Sequence, residues 1–252
     1  MRKIVGLSGK KQSGKNTCAN IIAGTILHSV GYETKVDPKT GDLLFLDDGG
    51  QFIKLDLLSR QPIVRQWLTE NIYPFVKLYS FADSLKEFCI NVLGLTEEQC
   101  YGSNEQKNAK TNIKWSTFKK FLNKDTAEEV KNKNYWNKYC TGREVQQVVG
   151  TDIVRSICND GWVNDTFRKI ERENVRNAIL VDTRFPNEVV GTQERKGIVI
   201  RLTRCPFKDE DLHSSEFALD NYQGFDGILD NKDMSIEEQG VALSQLLQKI
   251  GK

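Results

Sequence analysis

The sequence contains no apolar run that approaches the roughly 20 residues needed for a membrane-spanning helix. The opening segment Ile4-Val5-Gly6-Leu7 is strand-like, short and soon interrupted, so it does not resemble a signal peptide. We therefore expect the protein to stay where it is made, in the cytoplasm.

Histidine is scarce, with two in 252 residues, and the six cysteines form no C-x-x-C pair or other metal-like spacing. With so few co-ligands, a zinc site is not expected. The cysteines, at positions 18, 89, 100, 140, 158 and 205, are predicted to be reduced thiols, as in most cytosolic proteins.

A strong excess of charge of either sign is also missing, because 36 basic residues face 34 acidic ones and leave a net charge of +2. That balance provides no general attraction to nucleic acid or to an anionic membrane, so neither is an expected partner. Any affinity for phosphate must be local. The 38% hydrophobic and 28% charged content is ordinary for a protein with a buried core.

Strand-like and helix-like segments alternate along the chain, which indicates an α/β fold with three layers and a mainly parallel, five-stranded sheet. We interpret the chain, 1–252, as a single domain. Strands are predicted at 3–7, 76–81, 178–182, 198–202 and 225–229, and helices at 15–29, 83–93, 141–157, 162–174 and 235–250.

Two segments, 33–75 and 103–140, interrupt this alternation and are predicted insertions. The first contains turn-rich stretches at 37–42 and 47–50 between apolar runs, which predicts a β-hairpin near 33–56. The second is a helical insertion, dense in Lys and Asn, with interleaved aromatic residues: Trp115, Phe118, Phe121, Tyr135 and Trp136. It is either a surface insertion of short solvated helices or a substrate cover whose aromatic rings stack on a base.

The most specific motif matches G-x-x-x-x-G-K, follows a predicted strand and opens a predicted helix: Gly9-Lys10-Lys11-Gln12-Ser13-Gly14-Lys15-Asn16-Thr17. The glycines allow backbone N–H groups to converge on a phosphate, and the helix N-terminus adds partial positive charge. Lys15 supplies a full charge to the β- and γ-phosphates. The sequence therefore predicts a P-loop.

The residue after the P-loop lysine is ordinarily Ser or Thr, whereas this chain has Asn16 followed by Thr17. The arrangement G-K-x-T is typical of nucleoside monophosphate kinases. A GTPase is disfavoured because the base-reading motif N-K-x-D is absent, since Asn231-Lys232-Asp233 has its acid one place early.

A second polar constellation ends the predicted strand 178–182. Asp182 at such a strand end would lie beside the phosphates, where it can hold magnesium through water. Arg184 can clamp a phosphate with both arms of its guanidinium, or it can pair structurally with Glu188 four residues on.

The helix predicted from Thr141 carries a polar stripe on an otherwise apolar surface. Arg143, Gln147, Gly150 and Thr151 fall within roughly a third of its circumference at about 100° per residue. The stripe faces either a ligand or the solvent.

Taken in order, these motifs resemble bacteriophage deoxynucleoside monophosphate kinases across most of the chain, and least over 31–75 and 103–140. The resemblance rests on Ser13-Gly14-Lys15-Asn16-Thr17, the segment 81–86, Arg143…Gln147…Gly150-Thr151…Arg155…Trp162, Asp182-x-Arg184-Phe185-Pro186-Asn187-Glu188 and His213-Ser214-Ser215-Glu216. It implies transfer of the ATP γ-phosphoryl group to a deoxynucleoside 5′-monophosphate, in the host cytoplasm if the chain is phage-encoded. This chain has Asn16 where the family usually has an acid.

The resemblance also implies roles for particular residues. The ATP-binding set is Ser13, Gly14, Lys15, Asn16 and Thr17, with Arg204 near a lid at 204–216 and Asn231 near the adenine. The deoxynucleotide-binding set is Lys86, Arg143, Gln147, Gly150, Thr151, Trp162, Asp182, Arg184 and Glu188. The catalytic set is Lys15, Asp182 and Arg184, and Mg²⁺ would accompany ATP at Thr17 and Asp182, through water.

Two other functions fit part of the same pattern. One is a kinase for another small acceptor such as dephospho-coenzyme A, and the other is a P-loop ATPase whose Lys-rich segment 103–140 touches nucleic acid. The net charge of +2 disfavours the ATPase. Related kinases suggest a homodimer.

Overall fold

The computed structural model describes residues 3–206 and 217–251, and within these residues the central sheet has five parallel strands. The strands of the whole described chain are β1 Lys3–Ser8, β2 Thr34–Val36, β3 Leu43–Leu46, β4 Phe52–Lys54, β5 Val76–Tyr79, β6 Lys110–Lys114, β7 Tyr139–Thr141, β8 Asn177–Thr183, β9 Ile198–Leu202 and β10 Gly227–Leu229. The central sheet has the order β10-β9-β1-β8-β5. The predicted α/β class and parallel five-stranded sheet are confirmed.

Helices connect these strands. They are α1 Lys15–Ser29, α2 Pro62–Asn71, α3 Phe81–Asn91, α4 Glu97–Tyr101, α5 Asn104–Lys107, α6 Trp115–Phe118, α7 Lys124–Asn132, α8 Gly142–Gln147, α9 Arg155–Ile157, α10 Gly161–Glu173, α11 Pro186–Glu194 and α12 Ile236–Ile250. A π-helical segment, Val148–Val154, joins α8 to α9. None of the helices in the described part of the chain combines the length and the apolarity needed to cross a membrane.

The chain divides into two compact units. The first contains the described residues up to Ser80 and those from Phe167 onward, and the second is Phe81–Thr166. The central sheet, the P-loop motif and α1 belong to the first unit.

The core of the first unit forms where α1 covers the sheet. Cys18, Ala19, Ile22, Ala23 and Leu27 recur at helical spacing on one face of α1 and are all buried. Burial of each large aliphatic side chain contributes about 1.5–3 kcal/mol to stability. This packing holds the start of α1 at the end of β1.

The predicted hairpin near 33–56 is present as β3 and β4, and β2 adds a third antiparallel strand. An ion pair between Lys54 and Asp42, at 2.8 Å, and the Lys35 ammonium 3.7 Å from the centre of the Phe52 ring link its strands. The helix α2 follows within the inserted segment 33–75.

The second unit has its own hydrophobic core. Trp115, Phe118 and Val130 are buried there, and Tyr135 and Trp136 pack against them. The segment 103–140 thus contains the three short helices α5, α6 and α7 and also the antiparallel pair β6–β7. Phe121 is the exposed member of the predicted aromatic set, at 56% exposure.

The structure corrects several predicted elements. The helix predicted at 83–93 spans Phe81–Asn91, and the strand predicted at 225–229 begins at Gly227. The strand predicted at 76–81 ends at Tyr79, because Phe81 already begins α3. The helix predicted at 141–157 begins with the expected capping box, in which Thr141 and Glu144 exchange hydrogen bonds of 2.6 and 3.1 Å. It is not α-helical throughout, because Val148–Val154 is a π-helix.

The predicted lid, 204–216, falls largely on residues 207–216. These residues include His213 and its neighbours, and they lie outside the described residues.

Candidate active site

The P-loop motif lies between β1 and α1. Gly14 is the residue before α1 and has φ 93°, a left-handed conformation that favours glycine. A Cβ on Gly9 would lie 2.4 Å from Ser13 Oγ, so a side chain there would displace the loop. The loop thus turns directly into the N-terminus of a 15-residue helix, an arrangement suited to binding phosphate.

Lys15, the first residue of α1, lies over the same loop. Its ammonium donates hydrogen bonds to the carbonyl oxygens of Gly9 at 2.6 Å and Lys10 at 2.7 Å. The positive charge predicted to contact the phosphates is therefore held at the loop by backbone oxygens.

The turn between β2 and β3 packs against the first turns of α1. Asn20 donates to the carbonyl oxygen of Gly41 at 2.8 Å, and a Cβ on Gly41 would lie 2.6 Å from Thr17 Oγ1. Gly41 also has φ 75°. Sequence reasoning did not connect this turn to Thr17, although a glycine at the end of a polar turn was a visible signal.

Asn16, in contrast, is exposed at the start of α1. Asn16→Asp is expected to leave the fold intact and to keep activity within about tenfold, since an exposed charge contributes about 1 kcal/mol or less. It should also tighten the apparent magnesium dependence, because a carboxylate is a better magnesium partner than an amide.

A magnesium titration of both forms at saturating ATP measures this effect. A nearly inactive Asn16 form beside a fully active Asp form would contradict the expectation that Asn16 is tolerated.

The carboxyl end of β8 meets the carboxyl end of β1, because the parallel register pairs Ser8 with Thr183. Asp182, the penultimate residue of β8, is half-buried, and Ser80 Oγ donates to Asp182 Oδ2 at 2.5 Å. Ser80 was missed as a site residue because the predicted strand 76–81 placed it inside the strand, whereas it directly follows the end of β5.

Arg184 is the first residue after β8 and is half-buried. Its backbone N–H donates to Glu188 Oε2 at 2.7 Å, and the N–H of Phe185 donates to the same oxygen at 3.1 Å. Glu188 is 2% exposed and lies in the first turn of α11, so its carboxylate caps that helix. Glu188 thereby contacts the backbone of the segment that carries Arg184.

Asn231 contacts the P-loop, and Arg204 contacts Asn231 in turn. Asn231 is fully buried after β10, and its amide donates to the carbonyl oxygen of Ser13 at 2.8 Å. Asn231 Oδ1 accepts the backbone N–H of Arg204 at 3.0 Å, while the Arg204 side chain donates to the carbonyl oxygens of Asn231 and Met234 at 3.0 and 2.6 Å. The structure therefore brings together three of the predicted ATP-binding residues.

A buried glutamine that sequence reasoning missed extends this network. Gln239 of α12 accepts from the Asn231 amide at 3.1 Å and donates to Cys18 Sγ at 3.0 Å. Burial raises the pKa of the Cys18 thiol to about 12, partly offset by this hydrogen bond, so Cys18 remains protonated near neutral pH. The sequence offered no clear signal for this residue, because α12 contains several other polar residues, such as Glu237, Glu238 and Gln245.

The other predicted deoxynucleotide-binding residues belong to the second unit. Arg143 is exposed and donates to the side-chain oxygens of Asn108 and Asn104 at 3.3 and 3.1 Å. Lys86 is half-buried, 3.8 Å from Asp83 and 4.5 Å from the centre of the Tyr101 ring.

The predicted stripe is altered by the π-helical segment, whose wider turns change the angle between successive side chains. Gly150 is buried, and a Cβ there would lie 2.7 Å from Leu85, so it also serves close packing. Gln147 is half-buried and Thr151 is exposed. The indole N–H of Trp162, which is 9% exposed, donates to the carbonyl oxygen of Gly150 at 3.2 Å.

Trp162 provides an optical test of the predicted acceptor site. If the deoxynucleotide binds beside this indole, the fluorescence of the protein should respond to the correct monophosphate without ATP. Trp162→Phe should remove most of that response. Trp136→Phe is the matched control and should retain it, and the reverse result would assign the response to Trp136.

The β1–loop–α1 motif and the five-stranded parallel sheet together define the fold class of this protein, which is a P-loop kinase fold. No family model matches the chain. Over 171 residues the chain is 29% identical to a protein of Acanthamoeba polyphaga mimivirus named "Putative deoxynucleotide monophosphate kinase"; the alignment covers 63% of this chain and 76% of the viral protein.

Proposed function

We propose that this protein transfers the γ-phosphoryl group of ATP to deoxynucleoside 5′-monophosphates, producing the diphosphates and ADP. The observation that carries the proposal is the P-loop with Lys15, at the same sheet edge as Asp182 and Arg184. The similarity to the mimivirus protein supports a nucleotide kinase, and the ordered motifs support the deoxynucleotide acceptor.

Phosphoryl transfer of this kind depends on position and charge more than on a protein base. The attacking oxygen belongs to a phosphate that is already ionised, so no histidine or cysteine base is required. Lys15 and the loop N–H groups would neutralise the ATP phosphates, and Arg184 would clamp the transferring or acceptor phosphate. The scarcity of histidine is compatible with this chemistry.

Magnesium fits the oxygen groups available in the first unit. The Thr17 hydroxyl and the Asp182 carboxylate are hard oxygen donors of the kind Mg²⁺ prefers, and Ser80 holds one carboxylate oxygen. Thr17 and Asp182 would hold the ion, directly or through water. Bound there, Mg²⁺ supplies charge neutralisation to the phosphates.

For the acceptor we propose the residues of the second unit that the family resemblance singles out. Arg143 would contribute charge and Gln147 a hydrogen-bonding amide, while Trp162 would border the base. Arg143 is already held by two asparagine side chains, which limits its conformational freedom.

A coupled ADP-release assay tests the proposal. ATP turnover should be low alone and rise strongly with one or more of the four deoxynucleoside monophosphates, more than with their ribose counterparts. Stimulation only by dephospho-coenzyme A would instead support the other small-acceptor kinase. Stimulation only by single-stranded nucleic acid would support the ATPase and contradict the proposal.

A further inference from the structure

A second concave site lies in the first unit at the opposite edge of the central sheet from the P-loop. It is a pocket of about 730 Å³, and its lining includes Arg65, Thr69, Lys77, Glu173 and Arg176. Arg65 and Thr69 belong to α2, and Lys77 lies near the start of β5. Glu173 ends α10, and Arg176 directly precedes β8. Ser80 and Asp182, in contrast, lie at the carboxyl ends of β5 and β8. The pocket is thus separate from the candidate active site.

The lining of this pocket is positively charged. Three cations, Arg65, Lys77 and Arg176, face one carboxylate, Glu173. Glu173 Oε2 already accepts from Lys77 Nζ at 2.6 Å and from the Tyr79 hydroxyl at 2.7 Å. The pocket therefore has an excess of positive charge after its internal pair is formed.

The two arginines carry that excess. Both are exposed, and within residues 3–206 and 217–251 neither guanidinium forms an ion pair or a hydrogen bond. A guanidinium offers parallel donors that match the oxygens of a phosphate. Arg65 and Arg176 can therefore accept such a ligand without first losing a protein partner.

The environment of Lys77 indicates that positive charges crowd this pocket. Its side chain is 14% exposed. Burial lowers the pKa of Lys77, and the nearby charges of Lys169 and Arg65 lower it further, although Glu173 acts in the opposite direction. A bound anion would offset the repulsion among these cations.

The size of the pocket suits a small molecule. Ligand pockets span about 300–1,000 Å³, and a groove of about 490 Å³, lined in part by Arg60 and Gln66, adjoins this one along α2 and shares Arg65 and Thr69 with it. We propose that this pocket binds a small phosphorylated molecule with at least two negative charges, independently of the P-loop.

Isothermal titration with two probes, inorganic tripolyphosphate and dATP, tests the site. The wild-type chain should bind at two sites, one of them in the P-loop. Lys15→Ala should weaken the P-loop site and leave the second one. Arg65→Ala/Arg176→Ala should lower the affinity of the second site by at least about tenfold, because each substitution removes hydrogen bonds to a charged ligand.

Lys249→Ala, which removes an exposed cation from α12 of the same unit, is the matched control and should bind both probes like the wild type. Because both arginines are exposed, the double variant should keep its circular dichroism spectrum, and Arg65→Lys/Arg176→Lys should recover part of the binding. The proposal is overturned if Lys15→Ala binds neither probe, or if the double alanine variant retains full affinity at both sites.

Discussion

Lys15→Ala is expected to lower turnover by at least about a hundredfold, the scale of losing one preorganised charge contact. The ammonium of Lys15 is held over the loop by the carbonyl oxygens of Gly9 and Lys10. Alanine would leave the loop N–H groups in place but remove the full positive charge from the site where charge develops during transfer. Steady-state ADP release with ATP and the preferred monophosphate measures the effect.

The control for this variant is Lys3→Ala, which removes an exposed cation from the other end of β1. It should keep normal turnover, and the circular dichroism spectrum should be unchanged in both variants. A folded Lys15→Ala protein with wild-type turnover would contradict the P-loop assignment.

Arg184→Lys is expected to lower activity by at least about tenfold, the effect of losing one hydrogen bond to a charged group. Lysine keeps the charge of Arg184 but lacks the planar fork that engages two phosphate oxygens together. The backbone of this residue is tied to the Glu188 carboxylate at 2.7 Å, so the replacement side chain should start from the same position. Turnover and thermal unfolding should be measured on the same sample.

Glu188→Gln separates the phosphate role of Arg184 from a structural one. Glutamine removes the negative charge that caps α11, so the free energy of unfolding of this variant should fall by about 1 kcal/mol or more. Arg184→Lys should leave the unfolding temperature nearly unchanged while activity falls. Normal kinetics with a lowered unfolding temperature in Arg184→Lys would favour the structural pairing with Glu188.

The elements that sequence reasoning predicted well are those with local signals. Helix α1 has its predicted bounds, Lys15–Ser29, because a left-handed glycine begins it and apolar residues recur on one face. Strand β9 also has its predicted bounds, Ile198–Leu202, because a short run rich in β-branched residues predicts a strand from the local sequence alone.

Two elements of the inserted segment 33–75 were missed for different reasons. Helix α2 had usable signals, with Pro62 at its first turn and the apolar Val64, Trp67 and Leu68 at helical spacing. Strand β2 is three residues long and gains its partners from β3, so its own sequence carries little information.

The sequence by itself determined the phosphate loop, because the motif fits within nine consecutive residues and its backbone requirements are local. Only the tertiary structure decided what surrounds that loop. The contacts from Ser80 to Asp182 and from Asn231 to Ser13 join residues 102 and 218 positions apart, and they depend on the order of strands in the sheet. The π-helical segment is a similar case, since it lies where Gly150 packs closely on Leu85. Local propensity describes the conformation of one segment, whereas these features depend on which distant segments pack together.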